Sequence, residues 1–217
     1  MIWLLRVVVL EALLGATLFG AAGRMDLPWF WTLLAIHFLA ASFTVLHVDS
    51  DLLQERIKPG PGGVDRGLRW LLAPFLVASL AIAGLDVGRF GWSGEQAWWV
   101  HAAGLVVYDA GLLLAVEAFL ANQFFSPVVR VQEERGHRLV SSGPYRFVRH
   151  PGYAGTLLAT LATAPLLGSW WLLVPLAPAV VLLFRRVVIE ERYLRDHLEG
   201  YVDYARRVRY RLVPWLW

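Results

Sequence analysis

The sequence predicts an all-α polytopic membrane protein. About six transmembrane helices are expected, including a C-terminal helical hairpin, with a polar loop and an amphipathic tail at the cytoplasmic face. Three observations predict it. Of 217 residues, 58% are hydrophobic and 17% are charged, whereas soluble domains carry about 25% charge. The apolar residues fall in runs that approach or exceed the roughly 20 residues a spanning helix needs. Eleven Trp, several paired near the ends of those runs (Trp98–Trp99, Trp170–Trp171), mark aromatic belts at a membrane surface.

The spans follow in order. Ile2 to Ala22 is apolar apart from Arg6 and Glu11. It lacks a small-residue cleavage site followed by a soluble chain, so it is expected to be a span and not a signal peptide. Pro28 to Val48 is the second span, with proline at a permitted helix start. Asp49 to Arg69 is read as a polar loop, and Pro59-Gly-Pro-Gly-Gly63 forbids a helix in its middle. Leu68 to Val87 is the third span, Asp86 to Gln96 a Gly-rich connection, and Ala97 to Ala121 the fourth span. After a polar stretch, Asn122 to Gly152, come Pro151 to Leu167 and Trp170 to Ile189, split at Gly168-Ser169 into a hairpin. From Glu190 the chain is a charged amphipathic tail ending in the interfacial Pro214-Trp-Leu-Trp217.

Six spans put both termini on one side. Seventeen of the 20 basic residues then share that side: those from Arg56 to Arg69, from Arg130 to Arg149 and from Arg185 to Arg211. By the positive-inside rule this face is cytoplasmic. The whole chain, 1–217, is read as a single integral membrane domain. With no cysteine, disulfides, thiolate nucleophiles and thiolate zinc sites are excluded. No Rossmann glycine fingerprint, phosphate loop, HExxH or GxSxG motif is present.

The chemistry concentrates in two places. His137 to Gly155 reads HRLVSSGPYRFVRHPGYAG, a polar, Gly/Pro-punctuated insert between membrane segments. Irregular backbone there must find partners for its N–H and C=O groups. Pro151 can start a helix, whose free N–H groups and positive dipole end suit an anionic group. Gln132, His137, Ser141, Tyr145, Arg149, His150 and Tyr153 surround it with hydrogen-bonding side chains. An interfacial loop binding anionic headgroups is the competing reading. The second place is Arg185 to Glu191, at the end of the last apolar run. Arg186 and Glu190 are four apart and share a helix face, which is equally the signature of a simple surface ion pair. Asp109, Glu117 and Glu11 lie within spans, where acids are functional candidates unless they find partners such as Arg6. His37 and His101 read as helix-packing residues, and His47, Asp49 and Asp51 lack a fourth metal ligand. No metal site is expected.

The string Gln132, His137-Arg-Leu-Val140, Ser142-Gly-Pro-Tyr145-Arg-Phe-Val-Arg-His-Pro151-x-Tyr153-x-Gly155, then Arg186-x-x-x-Glu190-Glu191, resembles the isoprenylcysteine carboxyl methyltransferase family and the related phospholipid methyltransferases. The resemblance covers the chain from about Phe125 onward. It implies an integral membrane enzyme that uses S-adenosylmethionine and methylates a lipophilic acceptor entering from the bilayer, either an isoprenylcysteine-like carboxylate or a lipid or small hydrophobic amine or thiol. It implies cofactor contacts from Gln132, His137, Leu139, Val140, Tyr145, His150, Pro151, Tyr153, Glu190 and Glu191, with Arg186 and Glu190 catalytic and Arg186 at the acceptor group. It also implies that residues 122–217 bind the cofactor while residues 1–121 shape substrate choice. The family's usual Phe-Gly before the tail tyrosine is replaced by His197-Leu-Glu-Gly200 ahead of Tyr201. No nucleic acid is implied as a partner. Two alternatives remain at this level. Sterol-type reductases using NADPH have a similar Arg-His-Pro-x-Tyr-x-Gly string, commonly with Asn after the proline and an acid after the glycine, where this chain has Gly152 and Thr156. A non-enzymatic scaffold would use the basic face only to hold anionic lipid.

Overall fold

The computed structural model describes residues 2–217, the side chain of Arg69 excepted. The all-helical expectation is borne out. Eight α-helices follow in order: α1 (Ile2–Ala22), α2 (Pro28–His47), α3 (Ser50–Ile57), α4 (Leu68–Leu85), α5 (Trp98–Ala121), α6 (Pro151–Leu167), α7 (Leu173–His197) and α8 (Tyr201–Arg207). Among the described residues the only strand-like pairing is an isolated antiparallel bridge, Val64–Val129.

Four helices are long and apolar enough to cross a membrane: α1, α2, α4 with its extension, and α5. They account for four of the six expected spans. At 17 residues α6 falls just short of that length, and α7 carries a charged C-terminal half out of the apolar zone. The outward faces of these helices are apolar and exposed, as at Leu13, Leu39, Val77 and Val106. This is the pattern of a bundle solvated by lipid, which leaves no water to satisfy non-helical backbone.

Two expected boundaries are corrected. The third span does not end at Val87 with a connection from Asp86. It continues through a π turn, Asp86–Phe90. The Asp86 carboxylate is fully buried and accepts hydrogen bonds from Ser93 N (2.9 Å), Ser93 Oγ and Ser169 Oγ (2.6 Å). That tie folds the glycine-rich connection and the α6–α7 turn back onto the helix end. The second correction is that the 49–69 loop contains α3, and only the part from Lys58 onward is irregular.

The bundle is closest-packed between α5 and α6. A Cβ at Gly155 would lie 2.5 Å from Ala115 N and from Gly111 O, and one at Gly111 would lie 2.5 Å from Ala159 N. In lipid, where burial gives no driving force between helices, small residues that let backbones touch supply the packing. This contact fixes where α6 begins, and so fixes the polar loop that runs from the end of α5 to Pro151.

Candidate functional site

An open cleft lies where α5 ends, α6 begins and α7 leaves the apolar zone. Of the residues singled out in the sequence, His137, Leu139, Val140, Tyr145, His150, Tyr153 and Glu190 line it. Two distant segments, the loop and the α7 end, therefore meet in one place.

Glu190 is the carboxylate on the cleft wall. It accepts a hydrogen bond from Tyr153 Oη (2.6 Å), and Tyr153 Oη in turn accepts one from Arg186 Nε (2.6 Å). His150 Nδ1 is 3.9 Å from the other Glu190 oxygen. Arg186 is 4% exposed and lies behind Tyr153, with Nη1 3.6 Å from the Asp65 carboxylate. Asp65 Oδ2 is buried and makes no hydrogen bond, and Asp65 has φ +60, a left-handed backbone that a non-glycine residue rarely adopts.

Glu191, one residue on, turns the other way. It is 2% exposed and accepts hydrogen bonds from Arg149 Nε (3.0 Å), His150 Nε2 (3.1 Å), Tyr201 Oη (3.3 Å) and Arg195 Nη2 (2.9 Å). Burial alone would raise its pKa, but the hydrogen bonds from His150 and Arg149 outweigh it and hold the carboxyl at about 2. Arg149 also donates to the carbonyls of Val208 and Arg209 (both 2.7 Å), and the backbone N–H groups of Arg149 and His150 bond Tyr210 O and Arg211 O. The tail after α8 is thus laced to the loop through Arg149. Tyr204 completes it, donating to Tyr145 O at 2.7 Å. Burial pushes the pKa values of Tyr145, Tyr201 and Tyr204 above the ordinary tyrosine range, so all three are neutral.

On the opposite wall His137 stacks on Phe124 with ring centroids 4.3 Å apart, and its Nδ1 accepts a hydrogen bond from Gln132 N (3.1 Å). Burial, aided by the charges of Arg130 and Arg135, lowers its pKa to about 4, so it is a neutral imidazole. Gln132 is fully buried, with its amide donating to Phe124 O (2.6 Å) and accepting from Arg135. Gln132, Pro151, Arg186 and Glu191 therefore do not line the cleft; they hold the residues that do.

The sequence reading passed over several wall residues, Phe124, Phe125, Gly152, Tyr201 and Tyr204, while Arg149, which it named, does line the wall. It also passed over a buried ion pair that anchors the wall. Glu55 of α3 accepts from Arg130 Nε (3.0 Å) and Nη2 (3.1 Å), from Ser126 Oγ (2.7 Å) and from Gly60 N (3.1 Å). Burial opposes the Glu55 charge, but these hydrogen bonds win and lower its pKa, while the bonds Arg130 donates to Glu55 and Glu134 raise its own. Gly60 permits the approach, since a Cβ there would lie 2.4 Å from Arg130 Nη2. A lone glutamate in a polar loop gives no sequence signal of this kind.

The other acids and histidines divide. Glu11 pairs with His37, with Oε1 2.5 Å from Nδ1, and not with Arg6, which lies over the Trp3 ring. His101 is a packing residue, bonded to Leu166 O (2.9 Å) and stacked on Trp29. Glu117 is exposed on α5 away from the cleft. Among the described residues no three His, Asp or Glu side chains are grouped to hold a metal ion.

A second cavity, of about 1020 Å³, adjoins the cleft. It runs between α1, α2, α3, α5 and α6, and it shares Phe125 and Gly152 with the cleft. A Cβ at Gly152 would lie 2.6 Å from the Phe125 ring, so the glycine lets that ring lie across the boundary between the two spaces.

Fold and site together define a class: a helical membrane protein with a polar, aromatic-walled cleft at one end of its bundle and an apolar groove leading into it. Comparison with known proteins narrows that class. Residues 102–196 match the isoprenylcysteine carboxyl methyltransferase (ICMT) family, so the resemblance read from the polar motifs is borne out over this segment. The match begins within α5, upstream of the Phe125 limit read from the sequence, and stops before α8. Protein-S-isoprenylcysteine O-methyltransferase B of Arabidopsis thaliana is 32% identical over 52% of this chain and 59% of its own length. The Rattus norvegicus protein-S-isoprenylcysteine O-methyltransferase is 35% identical over 52% of this chain and 41% of its own. The cobalt-zinc-cadmium resistance protein CzcN of Cupriavidus metallidurans is 29% identical over 68% of each chain. The chain thus spans about half the length of the isoprenylcysteine methyltransferases it matches.

Proposed function

We propose that this protein is an integral membrane methyltransferase that uses S-adenosylmethionine and methylates a lipophilic acceptor, in its finer form the carboxylate of an isoprenylcysteine-like molecule. The supporting observation is the junction at Phe125 and Gly152, where a polar cleft able to hold a cofactor meets an apolar groove able to admit a lipid. Basic residues concentrate on the cleft side, which supports placing both termini and the cleft in the cytoplasm.

The residues present fit the cofactor. Glu190 is a carboxylate on the wall, oriented by Tyr153 and suited to ribose hydroxyls or an ammonium. Phe124 and Tyr201 give aromatic faces, and Leu139 and Val140 line the same cleft. The first-turn N–H groups of α6 have no carbonyl within the helix to bond, and they suit a carboxylate. When bound, the cofactor supplies an electrophilic methyl group on a sulfonium centre. The protein's part is to position and desolvate. A carboxylate acceptor needs no base, because the anion becomes a neutral ester and no proton is released. Arg186 positions Tyr153, and through it Glu190. The Asp65 carboxylate beside Arg186 marks where an acceptor carboxylate would bind, and a forked arginine suits that group.

The test is calorimetric titration of S-adenosylmethionine into the detergent-solubilised chain, followed by labelled-methyl transfer to an S-prenylated cysteine analogue. Binding that Glu190→Gln weakens supports the reading. Absence of binding, or stabilisation by NADPH and not by S-adenosylmethionine, overturns it.

A further inference from the structure

The groove does not end at the headgroup level. A third cavity, of about 990 Å³, continues it toward the far side of the bundle, and the two share Ala115 and Thr156. Three spaces thus join end to end along one face of α6, which carries Gly152, Thr156, Thr160 and Thr163. At 1.5 Å per residue, Gly152 to Thr163 spans about 16 Å. That is close to half of the roughly 30 Å hydrocarbon core, the depth of one leaflet. The path therefore has room for one apolar chain whose head lies at the cleft.

The deep cavity is not simply apolar. His37 and Tyr108 face it from α2 and α5 among leucines. Tyr108 is 5% exposed, and its hydroxyl makes no hydrogen bond among the described residues. His37 gives Nδ1 to Glu11, which leaves Nε2 without a hydrogen bond among the described residues. The second Glu11 oxygen, Oε2, is buried and unpartnered. The threonine hydroxyls of α6 bond back to their own helix, Thr160 to Thr156 O and Thr163 to Thr160 O, so they do not satisfy this group. An acid–imidazole pair at mid-bilayer depth is expensive. A groove meant for plain hydrocarbon would be better served by leucine there. A hydrogen-bonding group held in the groove would offset the cost.

We propose that His37 and Tyr108 form a specificity site for the acceptor's tail. The occupant is a single-chain amphiphile whose anionic head lies at the cleft end of the groove and whose tail carries a hydroxyl about one leaflet deep. The inference rests on the methyltransferase reading for the fate of the head, and on the groove alone for the tail. His37 lies outside the segment that matches the family, so it selects among acceptors and does not perform the transfer.

The probes are ω-hydroxydodecanoate and dodecanoate, labelled and bound to the full chain in lipid nanodiscs, with empty nanodiscs subtracted. Wild type is expected to bind the hydroxylated chain about tenfold more tightly, the worth of one good hydrogen bond in a dry site. Tyr108→Phe and His37→Leu should each cut that preference to about twofold or less, with dodecanoate and S-adenosylmethionine affinities unchanged. No preference in wild type, or a preference that Tyr108→Phe leaves intact, overturns the proposal. Tyr108→Phe removes one oxygen atom, so it decides the matter even if His37→Leu fails to fold. Methyl transfer to the S-prenylated cysteine analogue is measured in parallel. Preference without transfer sinks the isoprenylcysteine form of the proposed function alone, and transfer without preference sinks the tail site alone.

Discussion

Glu190 and Glu191 are neighbours in sequence with opposite tasks, and exchanging each for glutamine should separate those tasks. Glu191→Gln removes the charge on which Arg149, His150 and Arg195 converge. A carboxyl held at about 2 instead of the ordinary 4.5 corresponds to roughly 3 kcal/mol at about 1.4 kcal/mol per unit. Independently, removing one partner of a buried pair costs about 3–5 kcal/mol. For a chain of this size, about 2–4 °C of melting temperature accompanies each kcal/mol. Glu191→Gln should therefore lower the melting temperature, followed by tryptophan fluorescence in detergent, by about 6–20 °C. The pH dependence follows the same sign. The folded pKa lies below the ordinary value, so the stabilisation is complete above pH 4.5 and is lost as pH falls toward about 2. Glu190→Gln should leave the melting temperature within about 2 °C, because Tyr153 can donate to the amide oxygen as well. Its effect should appear in calorimetric binding of S-adenosylmethionine, weakened about tenfold or more. A stable Glu191→Gln protein, or an unstable Glu190→Gln protein with intact cofactor binding, would refute the division of labour.

Three further perturbations have expected outcomes. His137 is held at about 4 by burial, below its ordinary 6.5, so stability should decline as pH falls from about 6.5 toward 4; His137→Asn should flatten that slope in melting curves. Gly155→Leu places atoms where Ala115 N and Gly111 O already lie within 2.5 Å of a Cβ, and should abolish recovery of monodisperse protein by size exclusion, while Leu158→Ala on the exposed face should not. Arg130→Gln leaves the Glu55 carboxylate buried and half-paired, and should destabilise by about 3–5 kcal/mol while restoring proteolytic access to the 58–67 loop.

The sequence made the chemistry legible because polar, proline-bounded backbone beside membrane helices has few other uses. The loop from His137 to Tyr153 and the helix end at Glu190 do meet, as their spacing and charge distribution imply. It assigned cofactor contacts to Glu190 and Glu191 alike, with only Glu190 of the two catalytic, and carried no sign that only Glu190 lines the cleft. Adjacent residues on a helix point about 100° apart, and which one faces the cleft depends on the rotation of α7. The structure sets that rotation by burying Glu191 under Arg149 and Tyr201. Nor was the N-terminal contribution legible. Glu55 and Asp65 lie in a segment read as a loop, and their partners Arg130 and Arg186 lie 75 and 121 residues away. Pairings at that range leave no periodic trace.

That long-range pairing changes how the two halves of the chain relate. The family match covers only residues 102–196, yet the matched segment is not held by its own residues alone. Arg130 is neutralised by Glu55 of α3, and Arg186 is faced by Asp65. The tail beyond the match closes the cleft through Tyr201, Tyr204 and the carbonyls that receive Arg149. The cleft thus depends on elements outside the matched segment that return a carboxylate to Arg130 and to Arg186. Asp65 is the one that does so imperfectly, with an unpartnered oxygen and a left-handed backbone. Strain of that kind is kept where the strained group can be displaced. On the proposed reading, an acceptor carboxylate competing for Arg186 would relieve it, and the choice of acceptor would fall to the N-terminal half while the C-terminal half held the cofactor.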